Sequence, residues 1–441
     1  MTFNSTPQSE RLHIGFFGKR NAGKSSLVNA LTRQNLSVVS SQKGTTTDPV
    51  YKSMEILPLG PVMIIDTPGF DDSGMLGNLR VNKTKEIIRK TDIAILVTDS
   101  DELQIDSLSD ENQSSLAENA DKITLKLSKS NAELVSLFEE YSIPYLIVIN
   151  KSEKLQSLSK DLNEVKIHIE SATDTNIENS NIIEHDAKKV LFISAKTSYG
   201  LEKLKTALTK AAPKEKSDLI LKNLVSKGDA IILVIPIDES APKGRIILPQ
   251  QQVLREILDL GATAIVVKET ELSEAMLKLA NRPDLVITDS QVFDCVSKIV
   301  PENIPLTSFS ILMARYKGIL DIAIQSINAL KNLQNGDKVL ISEGCTHHRQ
   351  CNDIGTVKIP RLLKEYTGKN IEIETSSGRE FPSDLSDYKL VIHCGGCMLN
   401  EKEMQYRMNS ATKQGIKFLN YGIFLAMATG IFERSIEVFK E

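Results

Sequence analysis

Short apolar runs alternate along this chain with amphipathic stretches, a pattern typical of parallel α/β folds. In the first half, apolar runs at residues 12–17, 62–65, 145–149 and 190–193 each lead into glycine or polar residues. Residues 26–31 then continue with helical periodicity. We therefore predict a sheet whose strands carry functional residues at their carboxyl ends, where α/β folds bind ligands.

The same strand-then-helix rhythm continues through residues 218–333. It predicts a second, smaller parallel layer with right-handed crossovers, with strands at 230–235, 264–267 and 285–288 and helices at 249–260, 271–279 and 290–299. The sequence of this region contains no phosphate loop or ligand cluster, so we interpret it as a self-association domain. Cys295 falls in an apolar helical pattern and is predicted to lie in the core.

Two polar stretches interrupt the first half of the chain. Residues 98–129 are rich in Asp, Ser, Glu and Asn, and residues 153–189 have a similar composition that includes His168 and His185. We expect part of each stretch to form a solvated surface loop or helix, with the two histidines exposed to solvent.

The segment from Gly18 to Ser25 reads Gly-Lys-Arg-Asn-Ala-Gly-Lys-Ser and fits a phosphate-binding loop between a strand and a helix. Glycines at both ends allow backbone N–H groups to turn toward a phosphate. Lys24 supplies a cation to the β- and γ-phosphates, and the Ser25 hydroxyl is a ligand for Mg²⁺. The positive end of the following helix faces the same anion. This segment predicts a nucleotide site.

Later strand ends indicate guanine as the base. Asp66 ends one strand, where it can hold Mg²⁺ through water, and the N–H of Gly69 can approach a γ-phosphate. Thr46 lies in a polar loop suited to sensing the nucleotide. Asn150-Lys-Ser-Glu153 follows the next strand, and its carboxylate can accept both N–H donors of the guanine edge. A loop starting at Ser194 can support the base.

In this order, the segments resemble the signature motifs of translation-factor-like GTPases. That resemblance implies GTP and Mg²⁺ as ligands and Lys24, Thr46, Asp66 and Gly69 as catalytic residues. The predicted nucleotide-binding residues are Gly18, Asn21, Ala22, Gly23, Lys24, Ser25, Ser26, Thr46, Asp66, Gly69, Asn150, Lys151, Glu153, Ser194, Ala195 and Lys196. Glu153 stands where these enzymes usually have Asp, which keeps the charge and adds a methylene.

At Asn21 and Thr46, the sequence resembles the branch of these GTPases that uses K⁺ as a catalytic element. In those relatives, the loop residue equivalent to Asn21 ligates K⁺ and the one equivalent to Thr46 ligates Mg²⁺. Residue 70 is Phe instead of the water-positioning Gln of Ras-like enzymes, so we expect slow, K⁺-activated hydrolysis.

Composition is that of an ordinary globular protein. The 441 residues carry a formal net charge of −4, which gives no electrostatic reason to expect a nucleic acid or membrane partner. No apolar run is long enough to span a bilayer, and the polar N-terminus does not resemble a signal peptide. The odd number of cysteines, five, fits a disulfide framework poorly. We expect a cytoplasmic protein.

The second strong signal lies in residues 334–441. Strands predicted at 338–341 and 390–392 lead into Cys345 and into His-Cys394-Gly-Gly-Cys397. If these strands are parallel, the three cysteines emerge at one sheet edge. A Cys-x-x-Cys pair lets two thiolates reach one metal centre, and its glycines expose backbone N–H groups to sulfur. An iron–sulfur cluster, a Cys₃His zinc site and a redox-active thiol pair all remain open.

The combination resembles the HydF family of FeFe-hydrogenase maturation GTPases over essentially the whole chain. It joins a K⁺-type GTPase, a featureless α/β middle region and a terminal Cys-x-His … His-Cys-x-x-Cys motif. The predicted fold is α/β, an N-terminal P-loop GTPase domain followed by two smaller parallel-sheet domains. The expected bounds are 1–212 for GTP binding, 218–333 for dimerisation and 334–441 for cluster binding, with a linker at 211–217.

The resemblance implies a 4Fe–4S cluster on Cys345, Cys394 and Cys397. It further implies a homodimer and a scaffold that carries a two-iron subcluster precursor to the apo-hydrogenase. The radical-SAM maturases HydE and HydG would be its other partners. The fourth cluster ligand stays open among His347, His393, Glu343, Cys351 and water. The alternative is a K⁺-dependent regulatory GTPase of RNA modification or ribosome assembly with a zinc-stabilised C-terminal domain.

Overall fold

A computed structural model describes the chain over residues 6–32, 49–69, 75–105, 123–155, 167–171, 190–212, 219–237, 246–345, 353–378 and 380–440. The chain forms two compact units, Met1–Lys214 and Glu215–Glu441. The boundary between them falls in the predicted linker.

The first unit begins with a strand, the phosphate loop and a helix. Its described strands and helices, in chain order, are β1 (Leu12–Phe17), α1 (Lys24–Thr32), β2 (Val50–Ile56), β3 (Gly60–Asp66), α2 (Met75–Lys90), β4 (Ile93–Asp99), β5 (Leu103–Ile105), β6 (Ile123–Leu127), α3 (Lys129–Glu140), β7 (Tyr145–Asn150), β8 (Ile167–Ser171), β9 (Val190–Phe192) and α4 (Leu201–Ala211).

Six of these strands form the main sheet in the order β2-β3-β1-β4-β7-β9. β2 runs antiparallel to β3, and the other neighbouring pairs are parallel. Successive β1 side chains enter two different cores, with Ile14 and Phe16 on one face and Phe17 on the other. Because both faces are covered, the strands read as apolar runs without polar alternation. The parallel register pairs Phe16 with Asp66 and Asp99 with Asn150, which brings the strand-end motifs to one edge.

The two polar stretches also contain strands, which the sequence analysis did not predict. β5 and β6 lie in the first stretch and β8 lies in the second, and they pair as a three-stranded sheet in the order β5-β6-β8. Leu125 and Leu127 of β6 are buried against the main core, so two leucines anchor an otherwise polar segment. The side chains of His168 and His185 lie outside the described residues.

The second unit contains two further layers. Its described strands and helices are β10 (Ala230–Val234), α5 (Leu248–Asp259), β11 (Thr263–Val267), α6 (Leu272–Lys278), β12 (Leu285–Thr288), α7 (Phe293–Ile299), β13 (Leu306–Ser308), α8 (Phe309–Tyr316), α9 (Leu320–Gln325), α10 (Asn328–Asn332), β14 (Lys338–Ser342), α11 (Ile359–Thr367), β15 (Glu372–Ser376), β16 (Tyr388–His393), α12 (Glu401–Lys413), β17 (Lys417–Asn420), α13 (Tyr421–Ala428) and α14 (Phe432–Glu437).

The unit holds two four-stranded parallel sheets, ordered β11-β10-β12-β13 and β15-β14-β16-β17. This arrangement confirms the predicted fold class. Helix α8 joins the two layers, because its Phe309 and Leu312 lie in the core of the first sheet and its Ile311 lies in the core of the second. α9 packs against β17 and α10 against β16, so residues 320–332 belong to the second layer.

Cys295 is exposed, which corrects its prediction as a core residue. Its neighbours Phe293 and Val296 are buried and account for the apolar pattern, while Cys295 lies on the other side of the short helix α7. Across the described part of the chain, no helix combines the length and apolarity needed to cross a membrane.

Candidate functional site

The phosphate loop lies between β1 and α1 in a conformation that the sequence motif requires. Gly18, Asn21 and Gly23 have φ values of +137°, +63° and +89°, and Gly and Asn tolerate this region best. Lys24 is buried, and its Nζ donates to the carbonyls of Gly18 at 2.9 Å and Lys19 at 2.7 Å. These bonds hold the ammonium inside the loop, where a bound phosphate would meet it.

The residues expected at Mg²⁺ converge beside this loop. Ser25 Oγ donates to Asp66 Oδ2 at 2.6 Å, so a hydroxyl and a carboxylate from two elements share one position. These oxygen donors suit Mg²⁺. Gly69 lies against the loop, since a Cβ on it would come within 2.7 Å of Arg20 Cα. Thr46 lies outside the described residues.

Asn150 connects the phosphate loop to the base-side loop. Its Nδ2 donates to the carbonyls of Ala22 at 3.2 Å and Gly23 at 3.4 Å, and its Oδ1 accepts from the N–H of Ala195 at 3.1 Å. A Cβ on Gly23 would come within 2.3 Å of Asn150 Nδ2, so glycine is required for this approach. Ser26 lies in the first turn of α1.

The carboxylate expected to read guanine is held next to the same loop. A hydrogen bond with the Ser194 side chain lowers the pKa of Glu153; burial opposes this change and the charge of Lys196 adds to it. Glu153 is therefore ionised at neutral pH. Its Oε2 is buried and accepts no hydrogen bond from any described residue. An ionised, unpartnered oxygen is what an N–H donor of a base would satisfy.

Two ion pairs beside the nucleotide residues were not predicted. Lys151 Nζ lies 2.8 Å from Asp99 Oδ2, and Lys19 Nζ lies 2.9 Å from Glu102 Oε1. Burial would raise the pKa of the Asp99 carboxyl, but the hydrogen bond from Lys151 and further interactions lower it overall. Asp99 ends β4 and Glu102 follows it. The signal that could have found them is the apolar run at residues 93–97, which was not among the predicted strands.

The three cysteines follow the ends of two adjacent parallel strands of the last sheet. Ser342 of β14 pairs in register with His393 of β16, and the N–H of Cys394 donates to the Ser342 carbonyl at 2.9 Å. Cys345 follows β14, and Cys394 and Cys397 follow β16. All three cysteines therefore follow strand ends at the same edge of the sheet, as the sequence predicts.

Backbone donors face the sulfur of Cys394. Its Sγ accepts from the N–H of Gly344 at 3.1 Å and from that of Gly396 at 3.4 Å. In the absence of a metal, burial raises the pKa of Cys394 to about 12, and the nearby Cys397 adds to this. N–H groups aimed at sulfur are characteristic of sites that hold thiolates on iron. The donor set therefore fits an iron–sulfur cluster.

His393 is fully buried, and both of its ring nitrogens are engaged. Nδ1 lies 2.8 Å from the Cys394 carbonyl and Nε2 lies 3.2 Å from an Arg407 nitrogen, which assigns the proton to Nδ1. Burial, and then the charge of Arg407, lower the pKa of His393 to about 3. Arg407 also donates to Glu403 at 2.9 Å and to the Gly378 carbonyl at 2.7 Å. His393 must lose its hydrogen bond to the Cys394 carbonyl or to Arg407 before it can ligate iron.

The described residues contain no group of three or more His, Cys, Asp or Glu side chains that could hold one metal ion. Cluster ligation differs from single-ion ligation, because each thiolate binds a different iron atom. Glu343 is buried, and its Oε1 accepts from the Tyr421 hydroxyl at 3.5 Å. His347 and Cys351, the other protein candidates for the fourth ligand, lie outside the described residues.

Family models cover most of the chain. Residues 321–438 match the hydrogen maturase F tetramerization domain, and residues 220–318 match the hydrogen maturase F dimerization domain. Residues 13–151 match the 50S ribosome-binding GTPase family. The chain belongs to the HydF family. The resemblance found in the sequence is thus confirmed. The division between the two HydF models coincides with the start of α9, in agreement with the packing of α9 on β17.

Curated relatives of this HydF chain include GTPase Der proteins, each matched over part of its length. GTPase Der of Campylobacter concisus is 29% identical over 163 residues, which cover 35% of this chain and 30% of that protein. GTPase Der of Campylobacter jejuni is 40% identical over 94 residues, or 21% of this chain and 20% of that protein. The matches therefore span under a third of these relatives.

Two solved GTPase structures have partial similarity to this chain. Aquifex aeolicus Era bound to GDP·AlF₄⁻ has a TM-score of 0.31 and 16% identity, covering 58% of this chain and 91% of that chain. The G domain of T. maritima FeoB has a TM-score of 0.27 and 19% identity, with coverages of 46% and 99%. Both TM-scores are low, and the assignment to HydF rests on the family models.

Proposed function

We propose that this protein is a GTP-hydrolysing scaffold in FeFe-hydrogenase maturation. It holds a 4Fe–4S cluster, carries a two-iron subcluster precursor and delivers it to the apo-hydrogenase. One observation carries the proposal: a phosphate loop and a three-cysteine sheet edge occur in a single chain of the HydF family. The proposed exchange partners are HydE, HydG and the hydrogenase apoprotein, and the proposed location is the cytoplasm.

In the GTPase unit, Lys24 binds the phosphates while Ser25 and Asp66 hold Mg²⁺. We assign Asn21, in its left-handed conformation, to K⁺. Residue 70 is Phe, so no glutamine at this position orients the attacking water and the basal rate is slow. Thr46 and the segment after Gly69 transmit the GTP state to partner binding, since such segments order around a γ-phosphate.

In the cluster domain, Cys345, Cys394 and Cys397 hold the cluster, which supplies an iron to which further iron units can attach. Gly344 and Gly396 donate N–H groups to the Cys394 sulfur. Three thiolates leave one iron for an exchangeable ligand, and this arrangement suits temporary attachment of cargo.

The edge strand β11 supports association between copies of the chain. It lies at the edge of its sheet, and Val266 is 48% exposed. Leu258 of the adjacent α5 is 59% exposed, and Ile237 is 80% exposed. An edge strand with exposed apolar side chains is suited to pairing with another chain. We propose that this region, which matches the HydF dimerization model, forms the homodimer contact.

Anaerobic reconstitution of the full chain with iron and sulfide tests the proposal. After reduction, we expect the EPR spectrum of a 4Fe–4S cluster, and we expect imidazole or cyanide to perturb it at the exchangeable iron. Stoichiometric zinc without an iron signal would instead support the regulatory GTPase alternative. The HydF models over residues 220–438 favour the maturation role.

Replacing Cys394 with alanine should reduce bound iron to less than about half of the wild-type content, because a cluster ligand is lost. GTP turnover should stay within about twofold of wild type, since the phosphate loop belongs to the other compact unit. Iron analysis and a phosphate-release assay measure both effects. Cys295→Ala, which removes an exposed cysteine, is the control and should retain full iron. Equal iron in Cys394→Ala and wild type would contradict the assignment.

Replacing Glu153 with glutamine should lower kcat/KM for GTP by roughly 100-fold, because a site built for hydrogen bonds rejects a mismatched edge strongly. The amide offers a donor where guanine requires an acceptor. Xanthosine triphosphate presents a carbonyl at that position and should become the better substrate. Glu153→Asp keeps the carboxylate and should keep the preference for GTP. A Glu153→Gln variant that still prefers GTP would show that another group reads the base.

A further inference from the structure

Helix α8 lies along the loop that carries Cys394 and Cys397. A Cβ placed on Gly395 would lie 3.7 Å from both Ser310 Oγ and Met313 Cβ. One turn further on, the Nζ of Lys317 donates to the Leu399 carbonyl at 3.1 Å. Helix α8 and Lys317, which follows its last residue, thus accompany the loop from its first glycine to the residues beyond Cys397.

Lys317 brings a buried positive charge to this loop. Lys317 is only 2% exposed, and its backbone carbonyl accepts a hydrogen bond from Gln405 Nε2 at 2.7 Å. Bonds at both ends therefore fix its position. Leu399, which accepts the hydrogen bond from the Lys317 ammonium, lies two residues after Cys397. The ammonium is therefore held beside the loop that carries Cys397.

Charge next to a cluster controls its reduction, because the reduced cluster carries one more negative charge and burial weakens solvent screening. We propose that Lys317 is the charge-compensating residue of the cluster site and favours the reduced cluster. This inference rests on the proposed cluster. Lys317 lies within the region that matches the dimerization model, so the site draws on a residue from outside the cluster domain.

A redox titration of the reconstituted full-length protein tests this role. Dithionite supplies the electron through viologen mediators, and EPR measures the reduced fraction. In Lys317→Gln, we expect the equilibrium constant for reduction to fall at least tenfold, which is a decrease of about 59 mV for a one-electron couple. Lys317→Arg keeps the charge and should stay within about twofold of wild type.

Two controls separate charge from packing. Lys413→Gln removes an exposed charge from the last turn of α12 and should leave the potential unchanged, since water and salt screen it. Gln405→Ala removes the bond to the Lys317 carbonyl while keeping the ammonium, and should also retain a potential near that of wild type.

The outcomes are distinguishable. If Lys317→Gln loses iron while Lys317→Arg keeps both iron and potential, the positive charge is required and the inference stands. An unchanged potential in Lys317→Gln overturns the inference but leaves the cluster intact. Loss of iron in both Lys317 variants, with equally lowered Tm, would assign Lys317 to packing and overturn it. A wild-type protein without a cluster would overturn this inference and the proposed function together.

Discussion

Lys24→Ala should hydrolyse GTP at least about 100-fold more slowly than wild type, because removing a preorganised cationic donor from a phosphoryl-transfer site costs this much or more. The structure holds the Lys24 ammonium inside the phosphate loop with two backbone carbonyls, so the substitution removes the charge from a fixed position. Phosphate release, measured at saturating GTP and Mg²⁺ in the presence of K⁺, reports the loss.

The same variant should bind as much iron as wild type. The phosphate loop and the cysteines belong to different compact units, so a local change in one should leave the other folded. Lys205→Ala is the matched control, because it removes a lysine that pairs with Glu202 on α4 of the same unit. Full activity in Lys24→Ala, or loss of iron in it, would contradict the assignment of the two functions to separate units.

The phosphate loop could be predicted in detail because its information is local. Spacing placed Gly18, Gly23 and Lys24, and the structure shows the positive φ values and the inward ammonium that the motif requires. The base-side residues could be predicted from their order at strand ends. The contact from Asn150 to the Ala22 carbonyl joins residues far apart in the chain, and only the fold brings them together.

Some short strands escaped prediction for a different reason. β15 reads Glu-Ile-Glu-Thr-Ser, and most of its side chains are exposed or half-buried, because it is an edge strand. β6 reads Ile-Thr-Leu-Lys-Leu, only five residues within a polar stretch of the sequence. Short strands with one covered face provide weak periodicity, and pairing with a neighbour decides their structure.

The charged residues around the cysteines carried misleading local signals. Glu403 and Arg407 have the i, i+4 spacing of a solvent-exposed helix pair, yet Arg407 is 0% exposed and contacts His393. Lys317 precedes a glycine at a helix end, where a basic residue is an ordinary helix-terminus signal. Tertiary burial alone distinguishes these side chains from surface charges.

In the cysteine loop, we expect one glycine to be intolerant of substitution and its neighbour to be tolerant. Gly396 has a φ of +64°, and a Cβ on it would come within 2.4 Å of Met404 Sδ and 3.0 Å of Met404 Cγ. Met404 is fully buried on α12, so it has little room to move. At Gly395, the nearest atoms lie at 3.7 Å, an ordinary van der Waals distance.

Gly396→Ala should therefore lose more than about half of its cluster iron, and its second unit should be destabilised by at least roughly 1–2 kcal/mol from the left-handed conformation alone. Displacement of the loop would also move the Gly396 N–H away from the Cys394 sulfur. Iron content after anaerobic reconstitution and urea unfolding of the metal-free protein measure the two effects.

Gly395→Ala is the matched control, one residue away in the same loop. It should keep its iron and unfold within about 0.5 kcal/mol of wild type, as substitutions without a clash do. If both variants keep iron equally, the loop must accommodate a side chain at either position, and the close approach to Met404 would not constrain the site. If both lose iron equally, the contact of Gly395 with α8 must be as restrictive as that of Gly396 with α12.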